Sequence, residues 1–155
     1  MKRADSKSWK EKLAVLAGVG AFTLILEIWR ELQGFVVRRF RIQLPYKTES
    51  GEAVKLIFLS DLHGKQYGNR NQELIAAIAK ERPDYILIGG DLLTRDSAST
   101  ERTALSLLRR LVKICPVYLA NGNHEQRMRM NPEEYRGRYE KYIREVKSLG
   151  VHVLV

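Results

Sequence analysis

Apolar residues in this chain fall into two alternating kinds of run, short unbroken ones and longer ones in which they recur at intervals of three and four. The unbroken runs AVKLIFLS (53–60), YILIG (85–89) and VYLA (117–120) read as buried strands, and VHVLV (151–155) begins another. After the first, Leu74, Ile75, Ile78 and Ala79 share one helical face, with Asn71 as the cap and Pro83 as the stop. After the second, Ala104, Leu105, Leu108, Leu111 and Val112 line up in the same way. The last helix is punctuated by Asn131 as cap, Pro132 in the first position, Glu134 three beyond the cap and Gly150 past the end. Its core face is Tyr135, Tyr139, Tyr142, Ile143, Val146 and Leu149. Strands alternating with helices predict an α/β fold on a largely parallel sheet.

The chain ahead of this repeat is patterned differently. FVVRRFRIQLP (35–45) is β-rich with partial alternation and reads as a strand ending at Pro45, followed by the polar turn KTESGE (47–52). Before it, Leu13 to Leu26 carries no charge and is preceded by Lys2, Arg3, Lys7, Lys10 and Lys12, as in a signal or anchor segment. No small-x-small cleavage site follows. With Glu27 snorkelling and Ile28 and Trp29 extending the apolar surface, an uncleaved membrane-anchor helix is expected over residues 13–29. The expected division is a basic leader and anchor (1–34) followed by one domain (35–155). Arg30, Arg38, Arg39 and Arg41 nearly balance the basic residues in front; with the N-terminus inside, the domain would be extracytoplasmic.

Composition adjusts this picture in two places. A make-up of 45% hydrophobic and 29% charged residues over 155 positions fits one globular domain plus an appendage and excludes a disordered chain. The net charge of +9 invites a nucleic-acid reading, but residues 1–47 hold 10 Lys+Arg against 4 Asp+Glu, leaving 17 against 14 for the rest. The excess sits in the leader, and no basic stripe with interleaved aromatics follows, so nucleic acid is not supported as a partner. The single cysteine, Cys115, can form neither an internal disulfide nor half of a zinc knuckle and reads as a small buried residue.

Three polar clusters interrupt the pattern: Asp61-Leu62-His63-Gly64, Gly89-Gly90-Asp91, and Asn121-Gly122-Asn123-His124-Glu125. Each directly follows a strand, so in a parallel sheet all three lie at its carboxyl edge, where ligand sites form. Singly, each is an ordinary turn. Jointly, carboxylate, imidazole and carboxamide recur after three successive strands, with two of the three histidines of the chain among them. Such mixed oxygen and nitrogen donors suit divalent metals. Asp61 and His63 can grip one ion, Asp91 can bridge it to a second, and Asn123 can serve the second. Two cations roughly 3.5–4 Å apart lower the pKa of a shared water and hold a phosphoryl group for attack. His124 can stabilise or protonate the departing oxygen.

D-x-H, G-D and G-N-H-E, in this order with helices between, resemble the signature of the calcineurin-like metallophosphoesterases, and the resemblance covers about residues 36–155. It implies a sandwich of two β-sheets flanked by helices and a dinuclear site. In that site Asp61 and His63 bind one metal, Asp91 bridges, Asn123 binds the other, and His124 is the catalytic residue. Mn, Fe or Zn suits the donors better than Mg. A basic, apolar leader before SDLHG is similar to that of membrane-associated or exported bacterial members. Family members add later histidines, including a Gly-His-x-His; here only His152 remains, and its place in VHVLV reads as a core or sheet-surface position. The fold is therefore expected to be incomplete at the C-terminus, as in a fragment. The expected function is hydrolysis of phosphomonoesters or phosphodiesters, with a non-catalytic remnant or membrane-tethered interaction module as the alternative. Arg95, Arg127 and Arg129 follow the motif loops, either to meet phosphate or as solvated surface charge.

Overall fold

The computed structural model describes residues 3–43 and 53–154, with side chains described for 9–28, 34–43 and 53–154. The chain divides into two compact units, Met1–Phe40 and Arg41–Val155.

In the first unit, Arg3–Gln33 form one 31-residue helix, α1. Among the described residues no helix is long and apolar enough to cross a membrane. The anchor expected over residues 13–29 is therefore not supported. The uncharged stretch from Leu13 to Leu26 is shorter than the ~20 residues a span needs, and extending it draws in Lys12 or Glu27. Gly18, Gly20 and Thr23, whose hydroxyl donates to the Gly20 carbonyl, dilute it further. Residues 34–43 form no strand, contrary to the reading of 35–45: Val36, Phe40 and Ile42 stand exposed, and arginines break the alternation. Pro45 and the expected turn at 47–52 lie outside the described residues.

The second unit is the predicted alternation. Strands β1 (Leu56–Leu59), β2 (Tyr85–Ile88), β3 (Val117–Ala120) and β4 (His152–Leu154) form one sheet in sequence order. All neighbours are parallel, in a register that lines up Phe58, Leu87, Tyr118 and His152. Parallel neighbours need long crossovers, supplied here by α2 (Gln72–Glu81), α3 (Ala98–Leu111), α4 (Asn123–Met130) and α5 (Arg138–Ser148). Alternate strand residues Ile86, Ile88, Val117 and Leu119 pack with Leu74, Ile78, Ala104, Leu107, Leu108, Leu111, Tyr142 and Val146 in one core. Leu107 takes the buried place expected for Leu105, and Ala79 is exposed.

The strands were expected to be buried. Instead the opposite face is open, with Leu56, Phe58, Tyr85 and Leu154 each at least 40% exposed. Of the two-sheet sandwich, the described residues form one sheet.

Two helix starts also differ from the sequence reading. Asn71 stands at the start of α2 in a left-handed conformation (φ 62°), but its side chain accepts the Tyr67 N–H at 2.9 Å instead of capping. Asn131 caps nothing ahead: its amide donates to the Arg127 carbonyl at the end of α4, and Pro132 sits in a turn. The last helix begins at Arg138, after Gly137 at φ 68°. An Asn-Pro pair serves a turn as readily as a helix start. His152 is an exposed sheet-surface residue whose ring stacks on Tyr118 at 4.8 Å. Cys115 is half-buried, and burial raises its thiol pKa, with Asp84 adding to the shift.

Candidate metal centre

Parallel strands deliver their carboxyl ends to one edge, and the loops after β1, β2 and β3 meet there. The first two loops are stapled together by backbone hydrogen bonds. Asp61 N donates to the Gly90 carbonyl at 3.2 Å, His63 N to Asp91 at 2.8 Å and Gly64 N to Leu92 at 2.8 Å. To make these bonds, Asp61 (φ 58°), His63 (φ 48°) and Asp91 (φ 51°) all adopt the left-handed region, which costs residues other than glycine of order 1 kcal/mol or more each. Strain of this kind concentrates where a side chain must be aimed.

The aimed side chains converge. Asp61, His63 and Asp91 each present one donor atom within 4.8 Å of the others. Asp61 Oδ1 is 3.7 Å from His63 Nε2, and both side chains are exposed while Asp91 is buried. The Ser60 hydroxyl also meets the Asp61 carboxylate. From the third loop, the Asn123 carboxamide abuts Asp91, its nearer terminal atom 2.5 Å from Oδ2 and 3.3 Å from Oδ1. With nitrogen turned inward this is a hydrogen bond; with oxygen turned inward, two oxygen donors face one position. His124 N donates to Asp91 Oδ1 at 2.8 Å, so the first turn of α4 points its backbone donors at this carboxylate. The His124 ring stands edge-on to His63, centroids 5.0 Å apart.

All five residues singled out from sequence are thus in one place, and glycines permit it. A Cβ on Gly90 (φ 95°) would collide with the Gly122 backbone nitrogen, and one on Gly122 with the Asp91 carboxylate. Of the three arginines after the loops, Arg127 lines a shallow concavity of about 360 Å³ with Asn123, Gln126, Met130 and Asn131. Arg129 is exposed, and Arg95 is half-buried with its backbone N–H 3.3 Å from His124 Nδ1.

Glu125 closes the motif of the third loop, and its donor type alone suggests no role beyond it. It is 0% exposed, and its carboxylate accepts three backbone N–H groups: Asp91 (2.9 Å), Leu92 (3.1 Å) and Gly122 (3.1 Å). Burial pushes its carboxyl pKa up, the bonds from Asp91 and Gly122 pull it down, and the Asp91 charge raises it further. The sequence signal was there in an acidic residue three past Gly122, the position that reaches back to a helix start.

A profile of the calcineurin-like phosphoesterases matches residues 54–153, which takes in all three loops. Among curated proteins, phosphodiesterase YaeI of Escherichia coli (strain K12) is 26% identical over 116 residues, 74% of this chain and 40% of that protein. The chain thus spans about two fifths of the length of this curated relative. No solved structure gives a significant match. Because the profile covers well over half of its length, the chain belongs to the calcineurin-like phosphoesterase family.

Proposed function

We propose that this chain carries the metal-binding part of a phosphoesterase that hydrolyses phosphate esters at a pair of divalent cations. The observation that supports the reading most is the convergence of Asp61, His63 and Asp91 within 4.8 Å, with Asn123 seated on Asp91. The donors fit such ions: three carboxylate or carboxamide groups and one imidazole suit Mn, Fe or Zn. In this assignment Asp61 and His63 would hold one ion, Asp91 would be shared between the two, and Asn123 would serve the second. Bound divalent cations supply a nucleophilic water at neutral pH and neutralise charge on the phosphoryl oxygens.

The remaining chemistry falls to the chain. Hydrolysis joins a water oxygen to phosphorus and breaks the ester P–O bond, and the departing oxygen takes a hydrogen bond or proton from His124. Arg127, on the concavity beside Asn123, is placed to meet a substrate phosphate. A diester is the favoured substrate, because the curated relative is a phosphodiesterase by name. The same reading makes the parallel sheet one leaf of the family sandwich, with the second leaf packing on the open face that carries Phe58 and Tyr85.

Calorimetric titration of the chain with Mn2+, alongside turnover of bis(p-nitrophenyl) phosphate, tests the assignment. Two equivalents are expected in the titration, and turnover is expected in the protein completed by the family's later histidines. Asp91→Asn should abolish turnover and cut metal affinity at least roughly tenfold; near-full activity in that variant would remove the bridging role.

A further inference from the structure

We infer that Arg138 is a positioning residue for His124, acting through the backbone of Arg95 to fix which ring nitrogen carries the proton; this rests on the hydrolase reading only for its kinetic consequence. Arg138 is the first residue of α5, far in sequence from the three loops. Its guanidinium divides its donors between two elements. Nε donates to Glu101 Oε1 in the first turn of α3 at 2.7 Å, with Nη2 meeting the same oxygen, and Nη1 donates to the Arg95 carbonyl at 2.6 Å. Both side chains are largely sheltered, Arg138 at 27% and Glu101 at 17% exposure, so this ion pair is better protected from solvent than a surface one. A planar fork held on one side by a carboxylate presents its other edge in a fixed direction.

That edge holds the loop after β2. Arg95 follows Asp91 by four residues, and while its carbonyl is held by Arg138 its own N–H points at His124 Nδ1, 3.3 Å away. An N–H can meet Nδ1 only if that nitrogen carries no proton. The ring proton must then be on Nε2, leaving Nε2–H as the donor the ring can offer. The ring sits beside His63, within reach of the space the metal ligands surround. The chain of contacts Glu101, Arg138, Arg95, His124 therefore selects one tautomer and one orientation of the residue assigned to the departing oxygen. A backbone donor here does what a carboxylate does for the histidine of other hydrolytic sites, with the opposite tautomer as its result.

The test reads the tautomer directly. In long-range 1H–15N correlation spectra of the 15N-labelled full chain, recorded at neutral pH with and without Zn2+, three histidines are to be assigned by single substitution. His124 is expected to show an unprotonated Nδ1 and a protonated Nε2. Arg138→Met should replace this with a mixture of tautomers while His152, stacked on Tyr118, keeps its signals. Arg138→Lys keeps a charge beside Glu101 but not the two-sided reach, and should produce the same change; it decides the matter if the Met variant fails to fold. In turnover, either variant should lose roughly ten- to a hundredfold in kcat with little change in KM. A protonated Nδ1 in the unaltered chain, or His124 signals and kcat that ignore both substitutions, overturns the inference. The expected tautomer without any turnover leaves it standing and removes the hydrolase reading instead.

Discussion

Glu125 ties together two loops with one carboxylate, which accepts from two buried N–H groups and one part-buried one. Removing the side chain orphans all three donors, at about 1–3 kcal/mol for each buried group left unpaired. Glu125→Ala should therefore lower unfolding free energy by about 3 kcal/mol or more, read from the urea midpoint, and Glu125→Gln, which keeps one acceptor oxygen, by less. A fall below about 1 kcal/mol for the alanine variant would mean that water replaces the carboxylate. At this scale the chemistry of the site was legible before its support. Asp61, His63, Asp91, Asn123 and His124 declare themselves by donor type after apolar runs. Glu125 is marked only by its spacing from Gly122, and Arg138, which donates to the Glu101 carboxylate and to a backbone carbonyl, is marked by neither residue type nor spacing.

The elements were legible where periodicity is long and misread where the signal is a single pair of residues. β2, β3, α3 and α5 fall on their apolar patterns, whereas the grammar of Asn131-Pro132 belongs to a turn, and α4 went unrecognised because it buries only Glu125 and Met128. That short helix has no apolar stripe to announce it. Its position depends instead on Gly122, whose ordinary backbone (φ −87°) shows that the glycine is there for space and not for conformation. Any side chain at 122 pushes into both the carboxylate and the backbone nitrogen of Asp91. Gly122→Ala should keep the circular-dichroism spectrum of the fold while losing roughly ten- to a hundredfold in Mn2+ affinity by calorimetry. Unchanged affinity would show that the β2 and β3 loops can separate without disturbing the ligands. Gly90 has a backbone neighbour too and adds a positive φ, so its substitution costs the fold more.

For the molecule as a whole, the parallel sheet was legible in the alternation of strands and helices, because parallel neighbours need such crossovers; the strand order was not read. The burial of the strands was not legible. LIFL and YILI read as buried because an unbroken apolar run does not distinguish a face packed within the unit from one left open. Leu56, Phe58, Tyr85 and Leu154 mark the open side. Replacing Phe58 with lysine should reduce concentration-dependent association in sedimentation velocity while leaving Mn2+ binding intact, since Phe58 is exposed and is not one of the converging candidate ligands.

The same bare side of the sheet bears on how the protein is handled at the bench. Fluorescent dyes that brighten on greasy surfaces normally signal loosened packing. Here they should glow in the cold, fully folded sample, so a dye-based melting screen for stabilising ions would start from a raised baseline, and far-ultraviolet circular dichroism is the sounder thermometer.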